Sequence, residues 1–308
     1  MDNFTKKLYI LTDSNQTYQE LIKKLNLPDL EITNRRSEAQ ILLAAPPMLA
    51  KQFNDFPKVK WVQSVYAGVD ALMNNSLRQD YTLTNVKGIF GQQISEYVLG
   101  FCIQHCRHFN TYTHQQSVRQ WRAHSYRTLS ERSMLILGTG SIGSYLAKTA
   151  KALGIHTMGI NSSGIPAIDS PFDEVFHIQE LKYAVSKANI LVNTLPNTKN
   201  TVGIINQDAL LDAKELLLFN VGRGSAIDER SLLNALDSNA VNHAYLDVFE
   251  QEPLAADHPF WTHTGITVTP HIAAVSFPHQ VVEIFAENYK KQHKGNELQH
   301  VIDFSKGY

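Results

Sequence analysis

The chain has 308 residues, of which 43% are hydrophobic and 19% charged, and its 28 basic and 29 acidic side chains leave a net charge of −1. A near-neutral chain provides no extended positive field, so we expect neither nucleic acid nor a membrane to be a primary partner. The length predicts two domains, and such a chain can bury enough apolar surface to fold without disulfides. No metal site is predicted.

The first ninety residues alternate short apolar runs with polar stretches, a pattern typical of a parallel α/β sheet. No apolar run approaches the roughly 18 residues of a membrane span, and the strand-like start leaves no room for a signal peptide. We therefore expect a cytoplasmic protein. A helix is predicted at Thr17–Leu25, and strands are predicted at Leu8–Leu11, Ile41–Ala44, Val59–Val65 and Tyr81–Val86.

One long helix is predicted from Gln92 to about Gln120, because this segment lacks proline and carries an apolar stripe. The stripe consists of Ile94, Val98, Cys102, Cys106 and Phe109. The two cysteines and the nearby histidines could suggest a metal site, but both sulfurs lie in the stripe, which favours a core position. Two cysteines four residues apart form no disulfide framework, which suits a reducing compartment.

Six strand-like runs follow, and their spacing predicts a doubly wound parallel sheet. They are Met134–Leu137, His156–Ile160, Ile190–Leu195, Leu216–Val221, Ala244–Phe249 and Ile266–Thr269. Helices are predicted at Ile142–Leu153, Leu181–Ser186, Glu229–Leu236 and Pro278–Lys294, and the last of these is expected to return to the first domain.

The first of these strands runs into a G-x-G-x-x-G motif and then a helix, the arrangement that binds a dinucleotide. Gly138 is expected to make the tight turn, Gly140 to let the backbone approach a pyrophosphate, and Gly143 to let the helix pack on the strand. The alternative is an ordinary strand-to-helix turn. A pyrophosphate would meet the unpaired N–H groups of the helix N-terminus.

No acidic residue stands at the end of the second strand, where a carboxylate would bind the 2′-hydroxyl of NAD. Asn161 and Ser162 could donate hydrogen bonds to a 2′-phosphate, although no arginine lies nearby in the sequence. We therefore expect NADP(H) to be the preferred cofactor, and NAD(H) stays open as the alternative.

Three side chains with complementary chemistry follow three successive strands. Arg223, Glu252 and His271 come after the fourth, fifth and sixth strands of this sheet. The carboxyl ends of parallel strands meet at one edge, so these side chains are expected to converge beside the cofactor.

Four ordered motifs resemble the D-isomer-specific 2-hydroxyacid dehydrogenases, and within them the glyoxylate/hydroxypyruvate reductase-like branch. The motifs are Leu-Gly-Thr-Gly-Ser-Ile-Gly, Asn-Val-Gly-Arg-Gly, Leu-Asp-Val-Phe-Glu-Gln-Glu-Pro-Leu and Thr-Pro-His. The resemblance implies that Arg223 binds the substrate, that His271 is the acid and base, and that Glu252 pairs with His271.

Physical chemistry supports these roles. A planar carboxylate is matched by the permanently charged fork of arginine. Histidine can donate the proton that a developing alkoxide needs, and a neighbouring carboxylate favours the protonated ring. Glu250 lies two residues too early for this partnership, and taken singly each of the three residues could instead be an ordinary surface or loop residue.

The resemblance also places further residues at the substrate and the cofactor. Substrate contacts are expected from Tyr66, Ala67, Gly68 and Arg223, although Tyr66 could instead simply pack in its loop. Asp247 is expected to touch the nicotinamide end, the alternative being a buried strand-end aspartate that binds the backbone. The expected cofactor-binding residues are Gly138, Gly140, Ser141, Ile142, Gly143, Asn161, Ser162, Leu195, Pro196, Val221, Gly222, Arg223, Asp247 and His271.

The sequence thus predicts an α/β protein of two Rossmann-like domains. The substrate domain is discontinuous and flavodoxin-like, comprising residues 1–98 and 275–308, and residues 99–274 form the dinucleotide-binding domain. The resemblance implies a homodimeric enzyme that reduces a small 2-oxo acid to a 2-hydroxy acid. A nicotinamide-sensing regulator on the same fold is one alternative, and a formate or phosphite dehydrogenase is another.

Overall fold

The structure, a computed structural model, describes residues 5–307. The chain divides into two compact units, one formed by Met1–Ile89 and Ser276–Tyr308 and the other by Phe90–Val275. The predicted boundary at residues 98 and 99 falls inside a helix, whereas the packing assigns that whole helix to the second unit. Among the described residues, each helix is too short or too polar to cross a lipid bilayer.

The first unit contains a five-stranded parallel sheet in the order β2-β1-β3-β4-β5, which is the flavodoxin-like order. Its strands are β1 (Lys6–Leu11), β2 (Leu30–Ile32), β3 (Ile41–Ala44), β4 (Trp61–Ser64) and β5 (Thr82–Thr84). Its helices are α1 (Asn15–Lys24), α2 (Pro46–Ala50) and, from the far end of the chain, α9 (Pro278–His293). The rings of Trp61 and Phe285 stack 5.3 Å apart, and this contact joins α9 to the sheet.

The second unit contains a seven-stranded parallel sheet in the order β12-β11-β10-β9-β6-β7-β8. Its strands are β6 (Ser133–Leu137), β7 (His156–Asn161), β8 (Glu174–His177), β9 (Ile190–Asn193), β10 (Leu216–Asn220), β11 (Val241–Leu246) and β12 (Ile266–Val268). Its helices are α3 (Gly91–Cys106), α4 (Phe109–Ser117), α5 (Ser141–Ala152), α6 (Leu181–Ser186), α7 (Gln207–Leu210) and α8 (Glu229–Asp237). The prediction of two doubly wound parallel sheets is confirmed.

Two strands escaped the sequence prediction, and both lie at the outer edge of a sheet. β2 has only three residues, none of them fully buried, and β8 is half-buried along its whole length. An edge strand with a wetted face does not need the continuous apolar run that marks the central strands, so its sequence signal is weak.

The prediction of one long helix from Gln92 to Gln120 is wrong. The helix breaks at His108, whose φ of +57° is left-handed and cannot continue a right-handed helix. Cys102 and Cys106 are buried free thiols, as the stripe predicts. Phe109 lies beyond the break and is 49% exposed, because the break rotates the following helix out of the apolar stripe.

Candidate active site

Three glycines shape the turn between β6 and α5. Gly138 has a φ of +100°, which favours glycine. A Cβ at Gly143 would overlap the carbonyl oxygen of Gly138, so only glycine lets the helix start this close to the strand. Beside Gly140, in contrast, a Cβ would meet no atom within 4 Å, which leaves open space for a ligand against the backbone.

The N-terminus of α5 is ready to bind an anion. Gly140 is the N-cap residue, so no side chain caps the first turn that Ser141, Ile142 and Gly143 form. The first helical hydrogen bond runs from the N–H of Ser144 to the oxygen of Gly140, at 2.8 Å. The N–H groups of this first turn lie at the positive end of a 12-residue helix, and together they fit the pyrophosphate of a dinucleotide.

The loop after β7 uses its own polar groups internally. The Asn161 amide donates to Thr139 Oγ1 at 3.2 Å and to the Ile165 carbonyl at 2.9 Å, while its oxygen accepts from the N–H of Ser163 and Gly164. An amide has two hydrogens, so Asn161 offers none to a 2′-phosphate in this conformation. The donor role that the sequence analysis expects of Asn161 toward a 2′-phosphate stays a prediction. Ser162 is exposed.

Two buried asparagines, which the sequence analysis missed, organise the loops after β9 and β10. Asn193 Nδ2 donates to Asn220 Oδ1 at 2.8 Å, and the same Asn220 oxygen accepts from the N–H of Gly222 at 3.3 Å. Asn193 Oδ1 accepts from the N–H of Leu195 at 3.1 Å. A Cβ at Gly222 would lie 2.7 Å from the Leu195 oxygen, so the two loops approach as closely as glycine allows. Pro196 follows Leu195 directly. Each asparagine is the polar residue that ends an apolar strand, and this is the signal that could have identified it.

Arg223 lies in the loop that follows β10 and Val221. Its Nη1 donates to the Gly222 carbonyl at 2.7 Å, and its own carbonyl accepts from Asn220 Nδ2 at 2.9 Å. A Cβ at Gly224 would overlap the Phe249–Glu250 peptide. The loop that carries Arg223 therefore packs directly on the chain segment that leads to Glu252.

Glu252 and His271 form a direct pair. Glu252 Oε2 lies 2.8 Å from His271 Nδ1, and Glu252 Oε1 accepts from the N–H of Phe249 at 3.0 Å. A carboxylate only accepts, so Nδ1 carries the hydrogen and Nε2 remains for a reactant. The His271 side chain is 53% exposed. Within residues 5–307 the Glu250 carboxylate has no hydrogen bond or ion pair.

Asp247 is 2% exposed and serves the backbone around His271. Its Oδ1 accepts from Thr269 Oγ1 at 2.6 Å and from the N–H of Ile272 at 2.8 Å, and its Oδ2 accepts from the N–H of Ala273 at 2.9 Å. These contacts match the alternative given above, in which Asp247 is a buried strand-end aspartate that binds the backbone. Its contact with a nicotinamide ring stays a prediction.

The expected substrate loop lies in the other unit and follows β4. Ser64 Oγ accepts from the Tyr66 N–H at 3.0 Å and donates to the Tyr66 carbonyl at 2.8 Å, while Asn85 Nδ2 donates to the Ala67 carbonyl at 2.7 Å. Tyr66 is 38% exposed, and partial burial raises the pKa of its phenol. Gly68 is half-buried beside them. The assignment of this loop to substrate stays a prediction.

Known proteins resemble this chain over most of its length. A sequence model of the family "D-isomer specific 2-hydroxyacid dehydrogenase, NAD binding domain" matches residues 99–273. Glyoxylate/hydroxypyruvate reductase A from Salmonella heidelberg is 30% identical over 261 residues, which are 82% of each chain.

Solved structures show the same fold. A D-isomer-specific 2-hydroxyacid dehydrogenase family protein from Aeromonas salmonicida is 40% identical with a TM-score of 0.92, covering 97% of this chain and 99% of that one. A family member from Xanthobacter autotrophicus, solved with NADPH and MES, is 27% identical with a TM-score of 0.88 and covers 99% and 100%. An NADPH-dependent glyoxylate/hydroxypyruvate reductase from Sinorhizobium meliloti, solved with NADP and sulfate, is 25% identical with a TM-score of 0.85, and the match covers 98% of this chain and 100% of that one.

The two doubly wound sheets and the dinucleotide turn define an NAD(P)-dependent oxidoreductase that acts on the CH–OH group of 2-hydroxy acids. The chain belongs to the D-isomer-specific 2-hydroxyacid dehydrogenase family, in its glyoxylate/hydroxypyruvate reductase-like branch.

Proposed function

We propose that the protein reduces a small 2-oxo acid, such as glyoxylate or hydroxypyruvate, with NADPH as the preferred hydride donor. The observation that carries this proposal is the 2.8 Å pair of His271 and Glu252. It stands at the carboxyl edge of the sheet where Arg223 and the glycine turn also lie, because Asn220, Leu246 and Val268 are aligned across β10, β11 and β12.

In the proposed reaction each side chain does what its chemistry allows. Bound NADPH supplies the hydride. Arg223 holds the substrate carboxylate by a charge-assisted hydrogen bond. His271 gives its Nε2 proton to the carbonyl oxygen as that oxygen becomes an alkoxide, and Glu252 stabilises the ring and fixes Nδ1 as its partner.

The preference for NADPH has two supports. No acidic residue occupies the end of β7, so nothing there repels a 2′-phosphate. The Xanthobacter and Sinorhizobium relatives were solved with NADPH and NADP. The Asn161 amide donates both of its hydrogens to Thr139 and Ile165, so of these two residues the exposed Ser162 has the side chain that can still donate to the phosphate.

The test is a steady-state screen of 2-oxo acids, including glyoxylate, hydroxypyruvate and phenylpyruvate, against NADPH and NADH, followed by the loss of absorbance of the reduced nicotinamide. We expect turnover of at least one short 2-oxo acid and a higher kcat/KM with NADPH. Tight NADPH binding without turnover of any acid would favour the redox-sensing regulator. A clear advantage of NADH would contradict the cofactor assignment alone.

We also propose a cytoplasmic homodimer that uses the segment from α4 to residue 128. This segment presents exposed apolar side chains, namely Phe109, Val118, Trp121 and Tyr126, and Trp121 is fully exposed. Residues 120–128 lack regular structure, yet the Tyr112 hydroxyl accepts from the N–H of His124 at 3.0 Å and Arg107 lies over the Tyr126 ring. An ordered, apolar and exposed segment is typical of an interface.

The proposed cytoplasmic location has its own support. The buried free thiols of Cys102 and Cys106 suit a reducing compartment.

A further inference from the structure

Two side chains of α3 reach the segment that carries His271. Residues 269–275, which we call the histidine loop, follow β12 and contain no helix or strand. Gln93 and Tyr97 are four residues apart on α3 and therefore share one helix face. Neither belongs to the residues to which the proposed function gives a role.

Gln93 binds the far end of the histidine loop through both groups of its amide. Its Oε1 accepts from the N–H of Val275 at 2.9 Å, and its Nε2 donates to the carbonyl of Val275 at 3.1 Å. Two hydrogen bonds to one residue fix the direction of the chain as well as its position, which a single bond could not do.

Tyr97 binds the near end of the loop, and the donor in this contact can be assigned. The Tyr97 hydroxyl lies 2.7 Å from Thr269 Oγ1, and Thr269 Oγ1 lies 2.6 Å from Asp247 Oδ1. The one hydrogen of threonine goes to the carboxylate, because a carboxylate only accepts, so Tyr97 must donate to Thr269. Burial raises the pKa of Tyr97 to about 12, which keeps this donor protonated.

Between these ends the histidine loop holds an unfavourable backbone conformation. His271 has a φ of +54°, which non-glycine residues seldom adopt and which persists only where surrounding contacts fix it. Asp247 fixes the middle of the loop through Ile272 and Ala273, and its carbonyl accepts from the His271 N–H at 2.9 Å. α3 fixes both ends.

We propose that Gln93 and Tyr97 are positioning residues, which set the place of the His271 imidazole by holding the two ends of its loop on α3. This proposal rests on the proposed function, in which His271 is the acid. A catalytic group displaced by about 1 Å can lose on the order of 10²-fold in rate, so even a slight relaxation of the loop is measurable.

The first experiment compares Tyr97→Phe and Gln93→Ala with two matched controls. Tyr183→Phe removes a hydroxyl from an exposed tyrosine of α6, and Gln92→Ala removes an amide that donates to Glu96 on the exposed side of α3. We expect Tyr97→Phe and Gln93→Ala each to lower kcat about 5- to 50-fold, with the substrate KM and the Kd for NADPH, from fluorescence titration, within about 2-fold. The controls should keep kcat. Unchanged kcat in both variants would overturn the proposal.

A double-mutant cycle separates positioning from general weakening of the fold. In a His271→Asn background, single-turnover oxidation of NADPH should be slowed less than 2-fold by Tyr97→Phe, because the group that Tyr97 positions is gone. An equal loss in both backgrounds would overturn the positioning role. If the residual rate is too slow to follow, ¹⁵N-histidine NMR decides: the His271 ring signals should shift in Tyr97→Phe and stay in Tyr183→Phe, and no shift contradicts the proposal. Wild-type activity in His271→Asn itself would refute the proposed function instead.

Discussion

At the scale of single residues, the proposed chemistry depends on which nitrogen of His271 faces the reactant. Glu252 accepts a hydrogen bond from His271 Nδ1, and the same carboxylate accepts one from the Phe249 N–H. The glutamate therefore cannot rotate away from His271 without losing a second hydrogen bond. The pair is partly exposed, which leaves Nε2 accessible. Two carboxylates lie two positions apart in this loop, and only one of them contacts the imidazole.

This difference gives a residue-scale prediction. Glu252→Gln should lower kcat for the reduction of a 2-oxo acid by about 10²-fold or more, because an amide stabilises the protonated ring far less than a carboxylate. Glu250→Gln is the matched control and should change kcat less than 2-fold. Steady-state kinetics on both variants check the prediction, and a larger loss in Glu250→Gln would show that the wrong carboxylate has been chosen.

At the scale of secondary-structure elements, α3 has two roles that its apolar stripe does not reveal. One flank buries Ile94, Val98 and Cys102 in the core of the second unit. Another carries Gln93 and Tyr97 to the histidine loop. Near its end, His105 Nδ1 lies 3.2 Å from the Tyr245 hydroxyl of β11.

The contact between α3 and β11 partly buries the rings of His105 and His243, and this makes the stability of the fold depend on pH. Burial, with smaller contributions from His105 and His263, lowers the pKa of His243 from 6.5 to about 4. At a pH between these two pKa values, His243 binds a proton in the unfolded chain but not in the folded chain. The free energy of unfolding therefore falls as the pH falls from 6.5 to 4. Above pH 6.5 this histidine has no effect, and below pH 4 the loss is complete.

We expect His243 to lower the free energy of unfolding by less than about 1.4 kcal/mol per pH unit in this window, since its ring is only partly buried. His243→Gln can keep the hydrogen bond to Thr267 but cannot titrate, so its unfolding midpoint should fall less steeply across this window. His114→Gln, at an exposed position of α4, should behave as the wild type does. Urea denaturation at pH 4.5, 5.5 and 6.5 checks this, and parallel curves for His243→Gln and wild type would contradict it.

At the scale of the whole molecule, the proposed dimer explains why a 308-residue chain keeps a fully exposed tryptophan on an ordered segment. Light scattering after size exclusion should give about twice the chain mass of 34.7 kDa. Trp121→Ser should shift the mass toward that of the monomer. Ile168→Ser is the control, because Ile168 is equally exposed but lies outside this segment. A monomeric wild type at micromolar concentration would contradict the proposal.

The sequence by itself determined the central strands and the order of the chemical groups. Central strands of a parallel sheet are buried on both faces, so their apolar runs are continuous and easily recognised. The glycine motif, Arg223 and Glu252 follow such strands, His271 follows the edge strand β12, and strand ends in a parallel sheet share an edge. Local pattern and a topological rule were therefore enough to place them.

Only the tertiary structure decided how those groups are held. The break at His108, the internal bonding of Asn161 and the two edge strands depend on neighbours that no local period encodes. Tyr97 and Thr269 are 172 positions apart, and Gln93 and Val275 are 182 apart. A polar side chain on a helix has the same sequence signature whether it faces water or a loop. Folding alone brings these partners within hydrogen-bond distance.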